Sequence, residues 1–129
     1  MIDCFSAPRP SCSNVILRNA LVGVAGLENV KLSDLGMSRT LSSSYYRKTT
    51  NYKVPAKWMA PESLVESIST HASDVWSFGI FAWELFSFGV DPYDDMSAEQ
   101  AFRAIVRGYR MPRPEMCSTE LFVTSMVFV

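Results

Sequence analysis

An aspartate in the stretch VKLSDLGMSR, Val30 to Arg39, stands where a short alternating apolar run meets Leu35-Gly36. A carboxylate that ends a strand at a tight turn can cap that turn or hold a metal ion. Asn19, at the head of the preceding apolar run, is by type a turn residue before a strand. Softer chemistry finds little support. Cys4, Cys12 and Cys117 are scattered, odd in number and form no CxxC pair, and His71 is the one histidine. That pattern argues against a metal site built on Cys and His and, more strongly, against a disulfide framework; it fits a reducing compartment.

The elements that would position these residues follow from composition and period. At 129 residues the chain is at most one domain, and 48% hydrophobic residues suffice for a core. A net charge of −1 gives no basic field for nucleic acid or an anionic membrane. The Met1 end lacks the basic and apolar regions of a secretory signal. Residues 1–14, with Pro8 and Pro10, read as irregular. Asn19–Val22 and Val30–Ser33 read as two strands joined by a turn over Gly23–Asn29. Leu41–Tyr52 is polar, rich in hydroxyls and without apolar period, which predicts a surface loop.

The second half of the chain reads as helices. Pro61 suits the first turn of a short helix running to about Ser67. The apolar run Val75–Val90 is short for a bilayer span, carries Glu84 inside it, and predicts a buried helix. Ser69, Thr70 and Ser73 are its candidate N-caps, and Gly89 its stop. Ser97 and Gln100 form a capping box for a helix that places Ala101, Phe102, Ile105 and Val106 on one face and closes at Gly108. A further helix could begin in TELFVTSMVF.

Taken in order, Arg18-Asn19, Asp34-Leu35-Gly36, Tyr45-Tyr46, Pro55-Ala56-Lys57-Trp58, Ala60-Pro61-Glu62 and Ser73–Gly79 resemble the C-terminal lobe of protein kinases. The likeness is to the receptor tyrosine kinase branch and runs across roughly residues 15–122. It implies a mostly α fold: a large-lobe fragment over residues 15–129, with a short β-hairpin, an activation loop and helices. It also implies transfer of the ATP γ-phosphoryl group to protein tyrosine with Mg²⁺. Asp34 and Asn19 would then be the catalytic and metal residues holding the nucleotide-bound Mg²⁺, although Asp34 could merely cap its turn. Leu35 replaces the family's Phe. Pro55, Lys57 and Trp58 resemble the tyrosine-kinase docking loop, and Trp58 also suits a core. Tyr45 and Tyr46 resemble paired activation-loop phosphorylation sites, with Arg39, Arg47 or Lys48 as partners for the phosphate. As ordinary exposed loop tyrosines they would be equally at home. Asp74 and Glu62 resemble structural carboxylates; Asp74 would also favour a helix N-terminus.

The departures are equally specific. Counting back from Asn19, the family's His-Arg-Asp falls on Cys12, Ser13 and Asn14. Asn14 stands in place of the general base and cannot accept a tyrosine proton, a loss of about 10²–10⁴ in rate. Neither a G-x-G-x-x-G motif nor a Val-Ala-x-Lys strand precedes Asn19. The isolated chain is therefore expected to be inactive. The alternative is a pseudokinase-like interaction module that binds peptide or kinase partners; a third is an unstable fragment without a role of its own. By resemblance the domain would face the cytoplasm beneath a single-pass receptor.

Overall fold

The computed structural model describes residues 10–11, 16–24, 26–34, 36, 39–40, 45–47 and 55–126. Among them the N-terminal part is a β-ribbon. Strand β2 (Ala20–Gly23) pairs antiparallel with β3 (Gly26–Leu32) in the register Ala20↔Leu32, Leu21↔Lys31, Val22↔Val30. The strands match the alternating apolar runs, but β3 begins earlier than expected. Gly26 to Asn29, read as turn from their Gly and Asn, belong to the strand, and the ladder shifts register at Val22/Gly23. Gly23 permits this close approach: a Cβ there would lie 2.9 Å from Asn29 Cβ.

Short bridges flank the ribbon. β1 (Pro10–Ser11) pairs with β4 (Arg39–Thr40), and β5 (Tyr46–Arg47) pairs with β6 (Ile68–Ser69). The polar segment around Tyr45 is thus tied at one point to the chain between the first two helices. Nothing in its local composition signals that pairing.

Four helices make up the rest of the described chain. α1 (Pro61–Val65) starts with proline at its first position, which needs no N–H there. α2 (His71–Phe86) is capped by Thr70, the middle of the three candidates: Ser73 N–H donates to Thr70 Oγ1 (3.0 Å) and Thr70 N–H to Ser73 Oγ (2.9 Å). α3 (Ala98–Val106) carries the expected capping box, with Ser97 N–H donating to Gln100 Oε1 (2.8 Å) and Gln100 N–H to Ser97 Oγ (3.2 Å). α4 (Thr119–Met126) packs against α2 and realises the last expected helix.

Both long helices end in the same way. At α3, Tyr109 N–H reaches Ala104 O (2.9 Å) and Gly108 N–H reaches Ile105 O (3.0 Å), with Gly108 at φ +92°. At α2, Gly89 N–H reaches Glu84 O (2.8 Å) and Phe88 N–H reaches Leu85 O (3.3 Å). These are the paired bonds of a Schellman cap. In α2 the left-handed position before Gly89 is Phe88, at φ +56°. A side chain therefore stands where glycine is favoured.

The core collects one face of α2 (Trp76 and Ile80) with Ile16, Trp58, Ile105 and Met111. A second cluster buries Ala82 against Cys117 and against Phe122 of α4, so the expectation of a helix buried all round holds in part. Val75, Phe78 and Leu85 on α2 are each at least half exposed. The described neighbours leave the side that carries these three residues uncovered.

Candidate functional site

The ribbon decides where the two candidate oxygen donors go. A single 3₁₀ turn, Leu17–Asn19, leads into β2, and Asn19 N–H donates to Ile16 O (2.9 Å). The Asn19 carbonyl then accepts from both Ser33 N–H (2.8 Å) and Ser33 Oγ (3.0 Å). This extends the Ala20↔Leu32 ladder by one step. Asn19, just before β2, and Asp34, just after β3, consequently stand at the same end of the ribbon. Asn19 is buried and Asp34 is exposed.

Asp34 itself has a left-handed backbone, φ +57°. Aspartate tolerates that region better than most residues, and such outliers concentrate at functional sites. Its Oδ1 lies 3.5 Å from where a Cβ on Gly36 would be. The carboxylate thus curls over the turn that follows it. One amide oxygen and one carboxylate are hard donors of the kind that would suit Mg²⁺.

A second group of residues is organised around Trp58. Pro55 precedes a 3₁₀ turn, Ala56–Trp58, that packs on α2 and α3. The Trp58 indole is buried, and its Nε1–H donates to Glu84 Oε2 at 2.8 Å. The same carboxylate oxygen accepts the Leu17 N–H at 3.1 Å. Ser77 Oγ donates to the Trp58 carbonyl (3.1 Å) and to Ser73 O (3.0 Å). The Arg18 guanidinium lies 5.4 Å from the Trp58 ring centroid. Burial is the main influence on Glu84 and pushes its carboxyl above the usual 4.5. The Trp58 and Leu17 bonds and the Arg18 charge act the other way.

Lys57 Nζ pairs with Asp91 Oδ2 (2.8 Å) and donates to Tyr93 O (3.1 Å), so the ammonium is directed at the segment after α2. Tyr45 is 49% exposed, and Tyr46 contributes its backbone to β5. Glu62 stands in the first turn of α1, on a groove it lines with Ala60, Pro61, Ala72, Val75 and Trp76. Asp74 stands in the first turn of α2, as expected for a carboxylate near a helix N-terminus. Asn14 and its neighbours Cys12 and Ser13 lie outside the described residues. Among the described residues no cluster of three or more His, Cys, Asp or Glu side chains forms a metal site, and no helix is long and apolar enough to cross a membrane.

The sequence reading gave Glu84 no role in the site. Its only signal was a lone acid inside an otherwise apolar helix. That pattern marks a buried charge that must find donors.

A sequence profile of the family described as protein tyrosine and serine/threonine kinase matches residues 12–127. The chain belongs to that kinase family. Over 107 residues this kinase sequence is 44% identical to fibroblast growth factor receptor 1 of Xenopus laevis, and equally so to that of Pleurodeles waltl. Each alignment covers 82% of the chain and 13% of the relative. These likenesses support the receptor tyrosine kinase branch of the kinase family.

Proposed function

We propose that residues 15–129 are part of the large lobe of a receptor tyrosine kinase domain, with residues 1–14 outside the matching unit. In this reading the parent domain transfers the ATP γ-phosphoryl group to a tyrosine of a protein substrate. The parent is a single-pass receptor and the domain lies on its cytoplasmic side. The observation that carries the reading is the shared placement of Asn19 and Asp34 at one end of the β2–β3 ribbon.

Asn19 and Asp34 would hold Mg²⁺ on the ATP phosphates. When bound, the ion neutralises charge on the transferred group. Asn19 is fixed by its turn and by Ser33, and Asp34 presents a carboxylate from a left-handed turn. Pro55, Lys57 and Trp58 form the docking loop for the acceptor tyrosine. Lys57 serves it by fastening the loop to Asp91 and Tyr93, and Trp58 by packing beneath it. Tyr45 and Tyr46 are the phosphorylation sites of the activation loop. Glu62 and Asp74 hold α1 and the start of α2.

The 129-residue chain by itself is inactive in this reading. Asn14 replaces the general base, and the chain has no glycine-rich loop or strand lysine to grip the nucleotide from above. Incubation with Mg-ATP and a tyrosine peptide should yield no phosphopeptide; robust turnover would refute this. A second reading is favoured by Asn14, by Ser13 and by the exposed Val75, Phe78 and Leu85. It is a pseudokinase-like module that binds a peptide or a kinase partner. Cys12→His, Ser13→Arg and Asn14→Asp in a full-length receptor sequence separate the two. Activity gained supports a damaged enzyme, and unchanged inactivity supports the module.

A further inference from the structure

Glu84 is a single acid within a helix whose other residues from Val75 to Phe86 carry no charge. It is only 7% exposed. Such a carboxylate is costly unless donors meet it. The donors come from two places far apart in sequence. Leu17 N–H lies 67 residues away and opens the turn that ends in Asn19. Trp58 Nε1–H lies 26 residues away and closes the turn of the docking loop. Both donate to the same oxygen, Oε2. Two charges face this carboxylate: Arg18 from the Leu17–Asn19 turn and Asp91 from the segment after α2. Arg18 also lies over the Trp58 ring, so the two turns meet at a second point.

We propose that Glu84 is a positioning residue whose Oε2 clamps the turn carrying Asn19 to the turn carrying Trp58. The oxygen donor of the cation site and the floor of the docking loop then move as one body with α2. This rests on the functional reading above for the roles of Asn19 and Trp58. The clamp itself is a matter of three groups and one oxygen. Loss of the carboxylate leaves two buried donors without an acceptor. Local opening of each turn then becomes roughly 10- to 100-fold more frequent, the order expected when one buried donor loses its acceptor.

A pH titration of the full chain, free of metal and nucleotide, tests the clamp by ¹H–¹⁵N NMR. The Leu17 amide and the Trp58 indole N–H should move together, with one midpoint above 4.5. Glu84→Gln should abolish both movements and leave the rest of the spectrum in place. Glu84→Ala should raise amide exchange across 17–19 and 56–58 by about 10- to 100-fold, while the Ser97 cap of α3 keeps its protection. Separate midpoints, or exchange that rises at α3 as much as at the two turns, would overturn the clamp. Adding Mn²⁺ and ATP afterwards addresses the functional reading alone. Failure of the ion to reach Asn19 sinks that reading and leaves the clamp standing.

Discussion

Buried polar groups fall into two kinds here. Glu84 is matched by donors on both sides, whereas the Tyr93 hydroxyl is buried with no hydrogen-bond partner among the described residues. Burial raises the Tyr93 phenol to about 12 from 10.0, against a smaller downward pull from Arg110. A phenol raised by folding adds stability that is complete below its unfolded value. That stability is lost as pH climbs through the folded one. Alkaline unfolding should therefore steepen between pH 10.0 and about 12, and Tyr93→Phe should flatten it. The same substitution removes an unsatisfied hydroxyl and should stabilise the chain at neutral pH by about 1 kcal/mol, read by urea unfolding. Glu84 has the same sign, since its carboxyl is also raised. Its stabilisation is complete below 4.5 and fades as pH rises past the folded value. Glu84→Gln should accordingly match the parent in acid and exceed it in stability at neutral pH.

The helices show what local sequence can and cannot specify. Thr70, Ser97, Gln100, Pro61 and Gly108 were legible because each cap is settled within a few residues. The strand ends were less legible. Gly26 to Asn29 have turn composition but continue β3, because Gly23 opposite lets the backbone close up. The pairings β1–β4 and β5–β6 were invisible, since two-residue bridges between distant segments leave no period. Two substitutions test the caps. Thr70→Ala should cost about 1 kcal/mol. Phe88→Gly should gain about 1 kcal/mol, because Phe88 holds a left-handed backbone while 82% exposed and gives up little packing. Each would move the thermal midpoint by about 4 °C, downward for Thr70→Ala and upward for Phe88→Gly.

In the molecule as a whole, the site was legible as residue types and order, and illegible as connections. Asp34 and Asn19 stand out through motif order, and the ribbon places them at one end because Asn19 and Ser33 continue its ladder. Trp58 was read as both core and docking residue, and its burial under Arg18 is compatible with both. Lys57 is legible through the motif Pro55-Ala56-Lys57-Trp58, which does not reveal its partners Asp91 and Tyr93, 34 and 36 residues on. The apolar run of α2 foretold a helix. It did not foretell that Val75, Phe78 and Leu85 would face outward, because burial depends on neighbours and not on the helix itself.

Paramagnetic broadening by Mn²⁺ in the presence of ATP is the direct test of the shared cation site. The Asn19 side-chain amide and the backbone amides of Ser33, Asp34 and Gly36 should broaden together in the full chain. Asp34→Asn should weaken the effect by about tenfold or more, by loss of a charged ligand, and asparagine also tolerates the left-handed backbone. Broadening of Asn19 without Asp34, or a response unchanged in Asp34→Asn, would contradict a common ion held at the open end of the ribbon.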